Sequence, residues 1–244
     1  DRFGKTDSRW KEVATYAPMA LALVQLAILL PQMTFSITAW AFFGALSVLA
    51  IALAWRETKM TLVMLAALLL AILPLSGAWA ERGADVTTLT ATLGIVALFA
   101  GAGHWALWRD RQPLLPWAIA ALGAPIIVWF AASFANRGEL DVAVWGVAAL
   151  LIAAVSGWLA WEQNCKSQQN IVMRLATGAT VLMLLLAGQA LIDEQWAASY
   201  CAIVALATAA WAKYSGDRVV SGTTIAPLGI AILWATGASY RVLD

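Results

Sequence analysis

The sequence predicts an all-α integral membrane protein of about nine transmembrane helices, and three observations carry that prediction. The first is composition: 62% of the residues are hydrophobic and 12% charged, with a mean hydropathy of +0.79, whereas soluble domains carry about 25% charged residues. The second is run length. The apolar stretches average about 20 residues, which is the length of a helix crossing a bilayer core. The third is a series of tryptophans that each close an apolar run and open a charged turn. Trp55-Arg56-Glu57, Trp108-Arg109-Asp110 and Trp161-Glu162 stand 53 residues apart, and Trp211-Ala212-Lys213 follows 50 further on. Tryptophan favours the headgroup level, so a tryptophan beside charges marks where a helix leaves the membrane.

Taken in order, the expected spans are 14–31, 34–55, 59–79, 87–108, 114–135, 141–161, 171–191, 195–213 and 220–239. The first follows the basic residues Arg2, Lys5, Arg9 and Lys11. The second, fourth and sixth end at Trp55, Trp108 and Trp161, and the eighth ends just beyond Trp211. The third runs out at Glu81-Arg82-Gly83-Ala84-Asp85, and the fifth at Asn136-Arg137-Gly138-Glu139-Leu140-Asp141, two turns that echo one another. The runs are apolar on all sides, lacking the charged stripe of an amphipathic helix. They are also about twice the length of a barrel strand, and only helices or closed barrels satisfy every backbone group in hydrocarbon.

Loop charge sets the expected orientation. With the N-terminus on one side, that side collects eleven basic residues in the N-terminal segment and the turns near 56–59, 109–113, 162–170 and 213–218. The other side carries Arg82, Arg137 and Arg241, while acidic residues divide seven and seven. The basic side is the cytoplasmic one, giving an N-in, C-out protein. Residues 1–33 form an N-terminal segment with one span, and 34–244 form one membrane domain of four repeated helical hairpins, at about 34–80, 81–136, 137–192 and 193–244. Pro74, Pro125 and Pro227 fall 19, 17 and 16 residues beyond Trp55, Trp108 and Trp211, in three of the four returning helices. Successive hairpins run in one topology, a parallel rather than an inverted repeat. The alternative is that tryptophans simply favour interfaces and helix lengths are uniform.

Small residues mark the expected packing faces: Gly94, Gly101 and Gly103; Gly146, Ala153 and Gly157; and Ala202, Ala205, Ala207, Ala209 and Ala210. They let helix backbones approach closely where water supplies no drive between helices. The more Leu-rich returning helices are expected to face lipid or a partner. Pro125, preceded by Gly123, is expected to kink its helix. Gln25 and Gln189 are expected to hydrogen-bond across helices, and Ser221, Thr223 and Thr224 to bond back onto their own helix.

Ionisable residues inside a membrane flag function, and this chain has few. No carboxylate falls mid-span, which argues against a proton- or sodium-coupled carrier. Arg174 is the one basic residue in the interior of an expected span, Lys59 and Lys213 standing at span ends. Its guanidinium either snorkels to the interface or, with Lys166 nearby, contacts a lipid phosphate or another anion. His104 is the one histidine, in Ala100-Gly101-Ala102-Gly103-His104-Trp105. A small residue four positions before it leaves room for a flat macrocycle, and in that respect it is similar to the Ala-x-x-x-His ligand of bacterial light-harvesting polypeptides. The alternative is an interfacial histidine packed beside Trp105 and Trp108. The outer pairs Glu81/Asp85 and Glu139/Asp141 read either as cation ligands or as solvated turns beside arginines. Cys165 in a polar turn and Cys201 in an apolar run make no disulfide framework. Zincin, Cys-x-x-Cys, nucleophile-elbow and phosphate-loop motifs are all missing from the sequence.

No metal and no resident cofactor are therefore expected, and an enzyme is not the expected class. The turns Ala54-Trp55-Arg56-Glu57 and Leu107-Trp108-Arg109-Asp110-Arg111, between Ala/Leu-rich spans, resemble the DUF2339 group of large bacterial membrane proteins over most of 34–240. The resemblance implies a bacterial inner-membrane setting, a chain that is a segment of a longer one, and no catalytic residues to carry over. With no initiator Met, the chain reads likewise as a processed protein or a segment. The leading expectation is a non-enzymatic scaffold or accessory subunit, with membrane lipids and other membrane polypeptides as partners and no nucleic acid. The second is a carrier or binder of lipid or another apolar molecule, through cavities opened by the prolines; a cavity lined by Gln25, Gln189 or Arg174 would favour it. The third is pigment or cofactor binding through His104.

Overall fold

A computed structural model describes residues 35–135, 140–166 and 171–241, scattered positions between 17 and 32, and the backbone alone over 236–241. The expected first span, 14–31, lies largely outside the described residues. The described chain is helical and divides into two compact units, residues 1–139 and 140–244.

Unit one contains α1 (Ile37–Arg56), α2 (Thr61–Arg82), α3 (Val86–Trp108) and α4 (Leu114–Ala135). Unit two contains α5 (Val142–Cys165), α6 (Ile171–Leu191), α7 (Glu194–Ser215), the short α8 (Arg218–Gly222) and α9 (Ile225–Arg241). Six of the seven stretches long and apolar enough to cross a membrane are α1, α2 with its preceding turn, α3, α4, α5 and α6; the seventh is Arg218–Ala235. The helix found where 195–213 was expected, α7, is of spanning length. It is not among the seven, because Glu194, Gln195, Ser199, Tyr200, Lys213 and Tyr214 dilute its apolarity.

Local chemistry explains the helix ends. The orphan N–H groups of a first turn need acceptors. Ser36 accepts from the Ala39 N–H at 3.4 Å, Asp85 from Thr88 at 2.6 Å, Asp141 from Ala143 at 3.2 Å and Asp217 from Val219 at 2.8 Å. Asp85 also meets Arg82 at 3.2 Å. The outer acidic residues Asp85 and Asp141 are thus caps, and no cluster of metal-ligating residues occurs among the described residues. Helices α2 and α7 stop at Gly83 and Gly216, whose φ values of 66° and 67° suit glycine.

In unit one, α2 packs against α1, α3 and α4. Val63, Met64, Ala67, Leu68, Ala71, Leu75, Ala78 and Trp79 are all buried. Phe35, at φ 50° just before α1, lays its ring 3.1 Å from where a Cβ on Gly77 would stand. Helix α3 meets α4 almost backbone to backbone: a Cβ on Gly103 would lie 2.5 Å from the Ala121 nitrogen and 2.7 Å from the Trp117 carbonyl oxygen. In unit two, α5 and α6 form the most extensive pairing. Gly146 lies against Leu191 and Ala190, and Gly188 lies under the Tyr200 ring.

The packing expectations divide. Gly103, Gly146 and Ala153 sit in tight or buried contacts, whereas Gly94 and Gly101 face open space. On α7 the buried stripe is Cys201, Val204, Ala205, Thr208, Ala212 and Ser215, so Ala207, Ala209 and Ala210 are exposed. The returning helices do not all face outward. Half of the most apolar window of α2 and of α6 is buried, against 22% for α3 and 28% for α5. A helix apolar all round gives no compositional cue to its inner face, and α2 and α6 each lie between neighbours.

Pro125 acts through a slipped hydrogen-bond ladder. It removes an N–H and crowds the carbonyl four residues back, and the preceding Ile119–Gly123 is a π-helical segment. Pro74 sits inside an α2 with no break in its helical assignment, and Pro227 is in the first turn of α9, where no bond is lost.

Candidate functional site

The residues of the tryptophan series gather at one end of each unit. In unit one the Trp55 and Trp117 rings are 5.6 Å apart. The Arg111 guanidinium lies 5.4 Å from the Trp55 ring centre and donates from Nη2 to the Trp55 carbonyl. Arg109 covers both Trp105 and Trp108, at 5.0 and 5.7 Å. In unit two, Trp161 stacks on Tyr214 at 5.7 Å and lies 6.1 Å from Trp211. Flat rings beside guanidinium and ammonium groups are the chemistry of a headgroup layer.

The charged groups at this end of unit two are largely engaged. Lys166 pairs with Glu162 at 3.1 Å. Arg174 donates from Nε to Asp217 Oδ2 at 2.8 Å, while Asp217 Oδ1 caps α8. Asp217 is buried and Arg174 is 41% exposed. Burial pushes the Asp217 carboxyl upward, but the hydrogen bonds from Arg174 and the Val219 N–H outweigh it and hold the group below its ordinary value. At this end the described charges are four basic (Lys166, Arg174, Lys213, Arg218) and two acidic (Glu162, Asp217). The opposite end presents Asp141, Asp193 and Glu194.

Among the described residues, clefts open in both units. In unit one, a cleft of about 320 Å³ between α1 and α3 is lined by Trp40, Phe43, Gly44, Ser47, Gly94 and Ile95, among others. A side chain at Gly44 or Gly94 would meet nothing within 4 Å. Trp40 Nε1 and Ser47 Oγ, buried beside this cleft, have no hydrogen-bond partner among the described residues. In unit two, a cleft of about 230 Å³ lies between α5, α6 and α7, walled by Gly157, Trp161, Thr177, Thr180, Thr208 and Trp211. A third, of about 290 Å³, holds Gln189, Glu194, Tyr200, Cys201, Ile230 and Trp234.

Among the described residues, three cross-helix bonds are made by aromatic side chains. Trp79 Nε1 donates to Thr92 Oγ1 at 3.0 Å, Trp211 Nε1 to Thr177 Oγ1 at 3.1 Å, and Tyr200 Oη to the Leu184 carbonyl at 2.7 Å. Gln189 is exposed, and most of the residues around Gln25 lie outside the described ones. An aromatic donor fixed on two rotatable bonds reaches a threonine already held by its own helix, an economy invisible in a single run of sequence. Ser221, Thr223 and Thr224 do bond back to local carbonyls, at 3.3, 2.7 and 2.7 Å.

None of Pro74, Pro125 and Pro227 lines any of the three clefts, which owe their space to glycine, alanine and threonine. His104 is half-buried beside Gly103 on α3 and lines none of them either. No family model, curated protein or solved structure matches the chain.

Proposed function

We propose that the protein is a non-enzymatic, multi-pass membrane protein acting as a scaffold or accessory subunit of a membrane assembly. The observation that carries this reading is the engagement of the charges at the helix ends. Asp85, Asp141 and Asp217 cap helices, Lys166 and Arg174 pair with carboxylates, and the clefts are predominantly apolar. Catalysis needs a nucleophile, an acid–base pair or a metal held for reaction, and the three aspartates are committed to capping helix ends. The basic bias of one loop side and the parallel tryptophan spacing support nine spans in an N-in, C-out arrangement of repeated hairpins. The DUF2339-like turns support a bacterial inner-membrane setting. Isolation in mild detergent tests the reading: co-purification of other membrane polypeptides in fixed stoichiometry is expected, and a chain that always isolates alone overturns it.

Orientation has a separate test in the native cysteines. Cys165 is exposed at the end of α5 and Cys201 is buried. A membrane-impermeant maleimide should modify Cys165 only after the membrane is opened; modification in sealed cells would reverse the orientation.

A second reading, binding of lipid or another apolar molecule, is favoured by the clefts and by Gln189, which lines the one in unit two that also holds Glu194. Retention of lipid by the purified protein checks it.

A further inference from the structure

We propose that unit two holds an acidic phospholipid, its phosphate on Arg174 and one chain in the cleft between α5, α6 and α7. This rests on the lipid-binding reading above. Arg174 donates one hydrogen bond, from Nε to Asp217. Its two terminal nitrogens have no partner among the described residues, and the side chain is 41% exposed. A guanidinium reads phosphate through these terminal donors, in a planar fork. Asp217 is only 2% exposed and is itself held by capping α8. The arginine is therefore anchored along one edge, with its other edge outward, and pays little entropy on binding. Four basic residues against two acidic ones give this end a net positive charge, which attracts anionic headgroups near a membrane surface.

The cleft opens one turn deeper along the same helix; Arg174 stands above it and does not itself line it. Arg174, Thr177, Val181 and Leu184 follow one another at spacings of three, four and three residues along one face of α6. The last three line the cleft. Thr177 therefore stands about 4.5 Å along the helix axis from Arg174. Trp211 closes the near wall, hydrogen-bonded to Thr177, and Trp161 and Tyr214 stack beside it. Thr177, Thr180 and Thr208 give their protons to carbonyls of their own helices, which leaves the wall hydrophobic enough for an acyl chain. A cationic fork at the headgroup level and an apolar slot one turn deeper match a molecule with a phosphate at one end and hydrocarbon at the other.

The test is native mass spectrometry of the full chain in mild detergent, titrated with phosphatidylglycerol, with phosphatidylcholine of the same chains, and with inorganic phosphate. Phosphatidylglycerol is expected to bind about tenfold more tightly than phosphatidylcholine, because the choline cation sits beside the same phosphate and opposes the Arg174 guanidinium there. Arg174→Gln should remove that preference. Because this variant leaves Asp217 buried and unpaired, Arg174→Gln with Asp217→Asn serves as the folded control and should also show no preference. Thr180→Leu, which fills the cleft, should weaken both lipids. Retention of the preference in the double variant overturns the proposal. So does displacement of the lipid by inorganic phosphate alone, which would mark a site for the free anion. Equal binding of the two lipids to the unaltered protein overturns the headgroup assignment and leaves lipid binding intact. Failure to retain any lipid removes the underlying reading as well.

Discussion

At the scale of single residues, two glycines on one helix separate packing from open space. A Cβ at Gly103 would collide with the backbone of α4, so Gly103→Ala should cost about 1–3 kcal/mol through overpacking. Gly94 faces the unit-one cleft with nothing within 4 Å, so Gly94→Ala should instead gain about 0.5–1 kcal/mol from helix propensity. Melting midpoints in detergent, measured on both variants, check the opposite signs. The sequence marks both as small residues on the same run; which one touches a neighbour depends on rotation about the helix axis, which an apolar run does not encode. Acid sensitivity belongs to this scale too. Asp85, through hydrogen bonds from Thr88, and Asp217, through those from Arg174 and Val219 against an upward push from burial, both ionise below the ordinary carboxylate value, about 3.9. A depressed folded-state value stabilises the fold fully above about pH 4 and loses that contribution as pH falls through it. Thermal melting between neutral pH and pH 3 should therefore fall with acid, and Asp217→Asn should reduce the drop.

At the scale of elements, the ends were legible and the faces were not. Charged and glycine-bearing turns at Glu81–Asp85 and after Trp108 placed α2 to α4 within a few residues, because caps and interfacial tryptophans are local signals. The roles of the prolines were not local. Pro125 coincides with a π-segment, Pro74 leaves its helix continuous and Pro227 opens one, since the outcome depends on position in the helix and on neighbours able to absorb the lost bond. The cross-helix bonds were equally hidden: Trp79 and Thr92 lie 13 residues apart on different helices and meet only when α2 and α3 fold back. A double-mutant cycle of Trp79→Phe and Thr92→Val should return a coupling of about 0.6 kcal/mol, and at most about 2.

At the scale of the whole molecule, the arrangement of charge in unit two has an electrical meaning. Its described side chains put four basic and two acidic residues at the Trp161–Trp211 end, and Asp141, Asp193 and Glu194 at the other. In the proposed orientation the basic end meets the negative interior of an energised membrane, and the acidic end meets the positive exterior. Each elementary charge carried across is worth about 2.3 kcal/mol per 100 mV. Inverting the unit would move positive charge outward and negative charge inward, both against the field. The resting voltage therefore works as a latch on topology. Cells depolarised by a protonophore during synthesis should accumulate inverted copies, seen as Cys165 newly labelled from outside.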